Sequence, residues 1–172
     1  MLTYMALDWD NQAARSAKLK ALADYYHQPD FTAFKMLGAD AMAPTKTGGK
    51  QKLIINSHGN ANVFAGYSPE SFLTQLMSKG FAEGSFPEIY LMACKVGEAS
   101  QDNSIITNFA RDLKRLLVGH GITAKLYAPR GILTYSLERK QASGQTYYTV
   151  TEMFIKTPER NYPLDEGMLL IT

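Results

Sequence analysis

Short apolar runs alternate with amphipathic segments through the middle of the chain. The runs Lys52–Asn56, Glu88–Ala93 and Ala124–Ala128 have the composition and length of buried strands. Two helical patterns lie between them, one beginning at the capping pair Ser68-Pro69 and one extending from Asn103 to Val118. The alternation of strand, helix, strand, helix and strand predicts two crossover units of a parallel sheet.

The two ends of the chain follow other patterns. An apolar stripe of helical period predicts a helix from Asn11 to Tyr26, ahead of Pro29. The β-rich runs Ile132–Leu137 and Tyr147–Ile155, with the turn-forming segment Gln141–Gln145 between them, predict a long hairpin. We therefore expect an α/β fold with a mostly parallel central sheet, flanking helices and a C-terminal β-hairpin, in a single domain over residues 1–172.

Composition adds mainly exclusions. The 172 residues suit one domain, and 18 Lys and Arg against 16 Asp and Glu leave a net charge of +2, too small for a dedicated nucleic-acid binder. A single cysteine excludes internal disulfides and a multi-cysteine zinc site. No signal-peptide pattern and no apolar run near the roughly 20 residues of a membrane span occur. We expect a soluble protein of a reducing compartment, cytoplasmic or delivered into a host cell without a cleaved signal, with no nucleic-acid partner and no membrane span.

Two residues that can act together in nucleophilic catalysis follow two of the predicted strands. His58, in the pair His58-Gly59, follows the first strand, and Cys94, the only cysteine, follows the second. Because sites in parallel sheets form at the carboxyl ends of strands, an imidazole can lie there beside a thiol and activate it. The N–H groups of Gly59 and Cys94 are candidate oxyanion donors. The alternative is structural, with Cys94 a small buried apolar residue and His58 part of a turn.

Two other catalytic motifs each lack one required residue. Ser100 stands where a cysteine phosphatase loop needs arginine, and Gln51 stands where a phosphate-binding loop needs serine or threonine. His27 and His120 each follow a predicted helix, where the helix C-terminus explains a basic side chain. No two histidines have metal-ligand spacing, so we expect no metal site.

The two strand ends resemble those of a known family. The stretches Leu53–Gly59 and Ile89–Cys94, an apolar strand ending in His-Gly followed by an apolar strand ending in Ala-Cys, are similar to the caspase-like (clan CD) cysteine peptidases. The histidine precedes the cysteine, which is the order of that clan and the reverse of papain-like peptidases. The closest similarity is to the cysteine protease domains of bacterial toxins and effectors. The resemblance implies a caspase-like three-layer sandwich.

The resemblance also implies a mechanism. Cys94 would be the nucleophile and His58 the general acid and base of a Cys-His dyad, with the oxyanion held by the Gly59 and Cys94 N–H groups. The reaction would be peptide-bond hydrolysis through an acyl-enzyme, with no cofactor required for the chemistry. The substrate would be a protein or peptide, either a host protein or the chain itself. Ser57 and Arg130 would lie near the substrate pocket.

An activator is a further implication of the resemblance. Toxin members of the clan are switched on by inositol hexakisphosphate, which is held by a basic patch. This chain offers four basic residues near or in the hairpin for such a patch: Lys125, Arg139, Lys140 and Lys156. Glu138 and Glu152 lie among them, which is also the pattern of a solvated mixed-charge surface.

Two other functions fit the same residues. The first is a thiol acyltransferase or amidase, in which the dyad forms the same acyl-enzyme but passes the acyl group to an acceptor other than water. The second is a non-catalytic interaction module, in which Cys94 belongs to the core and His58 to a turn. Because folds host many functions, the site and not the fold must decide among these functions.

Overall fold

The computed structural model describes residues 2–6, 13–27, 31–47, 52–98 and 108–172. The strands in these ranges are β1 (Leu2–Ala6), β2 (Phe31–Ala33), β3 (Lys52–Asn56), β4 (Glu88–Met92), β5 (Lys125–Pro129), β6 (Ile132–Ala142), β7 (Gln145–Lys156), β8 (Asn161–Pro163) and β9 (Met168–Ile171). The α-helices are α1 (Ala13–Tyr25), α2 (Pro44–Thr47), α3 (Pro69–Met77), α4 (Phe109–Gly119) and α5 (Leu164–Gly167), with a 3₁₀ turn over Phe34–Met36.

A six-stranded sheet forms the centre of the fold, in the order β2-β1-β3-β4-β5-β9. Every pairing is parallel except the pairing of β5 with β9 at one edge. The three strands predicted in the middle of the chain are β3, β4 and β5, and they are neighbours connected through α3 and α4. The protein is therefore of the α/β class with a mixed sheet. The sequence pattern did not indicate the outer strands β1, β2 and β9.

Helices α3 and α4 cover one face of this sheet. Alternate residues of the central strands pack against them in one buried cluster, which includes Leu53, Ile55, Ile89, Leu91 and Leu126. Three phenylalanines of this layer, Phe64, Phe72 and Phe109, have ring centroids between 5.1 and 5.7 Å apart. Burial of such large rings contributes to the stability of this side of the sheet.

Side-chain caps define where the two crossover helices begin. The Oγ of Ser68 accepts from the N–H of Ser71 at 3.3 Å, as the sequence predicts. The Oδ1 of Asn108 accepts from the N–H of Arg111 at 2.9 Å, so Asn108 caps the beginning of α4. Residues 11–12 and 103–107, which the predicted helices also include, lie outside the described ranges. None of the helices within those ranges is long and apolar enough to cross a membrane.

The opposite face of the sheet is covered by α1 and by a second sheet. That sheet has three antiparallel strands in the order β6-β7-β8. Its base packs on α1 and the central strands in a second buried cluster of Leu22, Ala23, Ile54, Met92, Leu133, Met153 and Ile155. Since Ile54 lies here while Leu53 and Ile55 lie in the first cluster, the central strands are buried on both faces.

The predicted hairpin is present and longer than the sequence indicates. Its strands β6 and β7 extend to a two-residue turn at Ser143-Gly144, where both residues have positive φ, 52° and 75°. This is the conformation of the tight turns that match strand twist, and glycine adopts it without steric cost. The register shifts between Ser136 and Leu137, which marks a β-bulge in β6.

We expect the protein to become less stable at high pH because of the surroundings of Tyr26. Its hydroxyl is buried 2.9 Å from the Sδ of Met153, and burial, with a smaller contribution from Tyr25, raises the pKa of Tyr26 well above its ordinary value of 10.0. Above the ordinary pKa, the phenol of the unfolded chain loses its proton while the phenol of the folded protein keeps it. The free energy of unfolding therefore falls as pH rises. We expect Tyr26→Phe to make this fall shallower in urea denaturation between about pH 8 and about pH 11.

Tyr147→Phe is the matched control. Tyr147 is exposed on the hairpin, so its loss should leave the slope of unfolding free energy against pH unchanged. Equal slopes for wild type and Tyr26→Phe would contradict this account of the second buried cluster.

Candidate active site

The parallel pairing of β3 with β4 brings His58 and Cys94 to the same edge of the sheet. The last residues in register are Asn56 and Met92, and His58 and Cys94 each follow two residues later. The N–H of Ser57 continues the ladder by donating to the carbonyl of Met92 at 3.2 Å. The two side chains predicted to act together therefore extend from adjacent strand ends.

Cys94 lies at a sharp bend where the chain leaves β4. The next residue, Lys95, has a φ of 59°, a left-handed conformation that non-glycine residues adopt at a cost. The bend is held by the Lys95 N–H, which donates to the carbonyl of Gly131 at 2.8 Å. The half-buried thiol faces the same segment, with its Sγ 3.8 Å from the carbonyl of Leu133. The beginning of β6 thus forms one wall beside the sulfur.

The backbone N–H of Gly59 faces away from the segment that follows it. The segment after it folds back, because the Asn60 N–H donates to the Val63 carbonyl at 2.9 Å and the Ala65 N–H donates to the His58 carbonyl at 2.8 Å. In this antiparallel pairing of Gly59 with Phe64, the N–H of Gly59 points away from Phe64. It points to the same side as the N–H of Ser57, which bonds to β4. This direction suits the predicted oxyanion donor.

The absence of a side chain at Gly59 also has a packing reason. A β-carbon there would lie 2.8 Å from Cγ1 of Val96 and 3.1 Å from Cβ of Ala93. Both residues flank Cys94 in the chain, so the two edge segments approach as closely as a glycine permits. Glycine at this position therefore determines how near the His58 segment lies to the Cys94 segment.

His58 and Ser57 differ in accessibility. The His58 side chain is exposed, so a substrate and water can both reach its imidazole. Ser57 is only 7% exposed, so it offers a bound molecule little surface. Among the described residues, no backbone carbonyl accepts from the Cys94 N–H, which leaves this second predicted oxyanion donor available.

Arg130 lies at the carboxyl end of β5, beside the Cys94 bend. Its N–H donates to the carbonyl of Gly167 at 3.0 Å, and its guanidinium lies over the ring of Tyr162, 4.6 Å from the centroid. Arg160 lies 4.2 Å from the centroid of the same ring. The Arg130 side chain is thus held against the second sheet by a cation–π contact.

Tyr135 is a neighbour of the thiol that the sequence did not single out. Burial raises the pKa of its phenol, and its electrostatic interaction with Cys94 raises the pKa further. Tyr135 follows Leu133 by two positions on β6, so both side chains lie on the inner face of that strand. Period-two alternation predicts this inner face, but only the contact of β6 with the Cys94 bend places Tyr135 near the sulfur.

The four basic residues of the predicted activator site are spread along two sheets. Lys125 opens β5 opposite Glu88, at the edge away from Cys94. Arg139 and Lys140 pair with Tyr148 and Tyr147 toward the hairpin tip, while Lys156 pairs with Ile132 at its base. Inositol hexakisphosphate binding stays a prediction of the resemblance.

No protein-family model and no curated protein matches this chain. Within the described ranges, no group of three or more His, Cys, Asp or Glu side chains is placed to hold a metal ion. Function is therefore inferred from the geometry of the two strand ends.

The close approach at Gly59 predicts the effect of adding one methyl group. Gly59→Ala should push the two edge segments apart, lower the free energy of unfolding by about 1–3 kcal/mol and change the rate at which iodoacetamide labels Cys94. Urea denaturation and intact-mass kinetics measure the two effects. Gly119→Ala is the matched control, because an added β-carbon there has no atom within 4 Å. A Gly59→Ala protein with wild-type stability and labelling would refute the packing role.

Proposed function

We propose that this protein is a cysteine peptidase in which Cys94 and His58 form the catalytic dyad. The observation that carries the proposal is the register of β3 and β4, which brings a half-buried thiol and an exposed imidazole to adjacent strand ends. A thiol beside a proton acceptor, at the carboxyl edge of a parallel sheet, is a common arrangement for a nucleophile. The His-before-Cys order adds the resemblance to caspase-like peptidases.

The proposed reaction has two steps. In the first, Sγ of Cys94 attacks the carbonyl carbon of the scissile peptide bond and its proton passes to His58. The carbon–nitrogen bond then breaks, and His58 returns that proton to the departing amine. In the second step, water gives a proton to His58 and attacks the thioester. The carbon–sulfur bond breaks, and the proton returns to the Cys94 sulfur.

Two backbone N–H groups are suited to hold the negative charge that develops on the substrate oxygen. The N–H of Gly59 points to the β4 side of the edge, and the N–H of Cys94 lies at the bend itself. Preorganised donors of this kind contribute strongly to acyl transfer because they need no rearrangement during reaction. The bend at Lys95 supports this role by fixing the Cys94 backbone.

The substrate of the proposed enzyme is a protein or peptide. The wall beside the sulfur, from Gly131 to Tyr135, is the surface that the residue before the scissile bond would contact. Arg130 flanks this surface and is oriented by the Tyr162 ring, while Ser57 is buried at the end of β3. By the resemblance, the enzyme acts as a bacterial effector on a host protein, or on its own chain.

A proteome-derived peptide library tests this proposal because it presents a great variety of cleavage sites in one sample. We expect wild-type protein to produce new peptide termini, detected by mass spectrometry, and Cys94→Ala to lower the rate by at least about a thousandfold. His58→Ala should cause a comparable loss. His27→Ala is the control, since His27 follows α1 on another part of the chain and should leave cleavage unchanged.

The acyl acceptor distinguishes hydrolysis from the alternative acyl transfer. In water labelled with oxygen-18, a peptidase places one labelled oxygen in each new carboxyl terminus. Labelled termini that remain dominant when amines are added would support hydrolysis, whereas products in which an added amine carries the acyl group would identify an acyltransferase. No cleavage and no transfer, with Cys94 unreactive, would favour the interaction module.

A further inference from the structure

A second site candidate is a cavity on the face of the central sheet opposite α3 and α4. Its volume is about 610 Å³, within the range of roughly 300–1,000 Å³ that small-molecule sites occupy. The floor is made by the buried residues Ile54, Met92 and Met153, while Tyr25 and Asp165 at the rim are exposed. The cavity is therefore deep and open to solvent at one side.

This cavity is separate from the proposed active site. Neither His58 nor Cys94 lines it. Its walls come from the central strands, from the end of α1 and from the segment containing α5, which joins β8 to β9. A molecule bound here would contact none of the groups to which the proposed peptidase chemistry is assigned.

The walls consist largely of aromatic rings and thioethers. Tyr90 and Tyr127 stack with centroids 4.5 Å apart, and Tyr25 meets Tyr26 edge to face at 5.4 Å. Burial raises the pKa of Tyr90, so its phenol is neutral at physiological pH. Ring edges and methionine sulfurs make favourable contacts with a further aromatic ring. The interior thus suits a planar aromatic molecule.

Of the two charged side chains at the cavity, Lys52 and Asp165, only Lys52 has an opposite charge beside it within the described ranges. The ammonium of Lys52 is compensated, because it lies 3.6 Å from Oε2 of Glu88 and 5.2 Å from the ring centroid of Tyr90. The carboxylate of Asp165 is exposed at the rim, and in the part of the chain that the structure describes no basic side chain lies within ion-pair distance of it. Its uncompensated negative charge favours a cation and opposes a polyanion.

We propose that this cavity binds a small aromatic amine. The ring of the ligand would occupy the space among the tyrosine and methionine side chains, and its ammonium group would pair with Asp165 at the rim. The tyrosine rings add to the attraction of the cation, as in other aromatic sites for ammonium ligands. This binding site is independent of the proposed peptidase function.

Three indoles of matched shape test the chemical class. Tryptamine carries the ammonium, 3-ethylindole is neutral and indole-3-propionate is anionic, and their affinities can be measured by isothermal titration or by ligand-observed NMR. We expect tryptamine to bind most tightly and the anion most weakly. Asp165→Asn should weaken tryptamine binding by about two- to fivefold, the range for an exposed ion pair, and leave 3-ethylindole unchanged. Asp40→Asn, at another exposed carboxylate, should change no affinity.

Filling the cavity tests the location. Leu164→Trp and Met168→Trp each add bulk at the lining and should weaken tryptamine binding by at least about tenfold. Met36→Trp makes the same methionine-to-tryptophan change on an exposed side chain outside the cavity, and it should leave the affinity for tryptamine unchanged. Circular dichroism verifies that each variant is folded, and the two filling variants provide independent tests. The proposal is overturned if folded filling variants bind like wild type, if charge does not order the three indoles, or if wild type does not bind tryptamine at about 1 mM.

Discussion

The parallel pairing of β3 with β4 is the constraint on which the rest of the account depends. Its register, Asn56 opposite Met92, determines which residues reach the carboxyl edge together. A shift of one residue would move the apolar side chains of a strand to the opposite face, so burial on both faces specifies the pairing strongly. Because both strands are buried on both faces, His58 and Cys94 are held at fixed heights on neighbouring strands.

Close backbone approach then shapes the surroundings of the thiol. A β-carbon on Gly59 would contact Val96, and one on Gly97 would lie 2.9 Å from the carbonyl of Pro129. Gly131 is similarly closed in by the backbone of Lys156 at the end of β7. These approaches join the bend after β4 to the ends of β5 and β7. The second sheet is thereby placed so that β6 begins beside Cys94, on the same face of the central sheet as α1.

The sequence predicts the centre of this structure better than its edges. The apolar run Lys52–Asn56 and the cap at Ser68 carry local signals strong enough to define a strand and a helix. The outer strand Met168–Ile171 is an apolar run of only four residues, at the lower limit of strand length, and it forms by pairing with β5 across a long separation in the chain. The position of His58 and Cys94 at the same edge of the sheet is predictable because each follows a buried strand. The position of Tyr135 and the tyrosine-lined cavity depend on how the second sheet packs, which periodicity does not encode.

The most direct test of the proposed dyad is the rate at which iodoacetamide alkylates Cys94 at neutral pH in the wild-type protein and in His58→Ala. With one cysteine in the chain, intact mass reports this sulfur alone. An activated thiol predicts rapid labelling of the wild-type protein and slower labelling of His58→Ala. His120→Ala, at the end of α4, should match wild type. Slow wild-type labelling that the loss of His58 does not change would contradict an activated nucleophile.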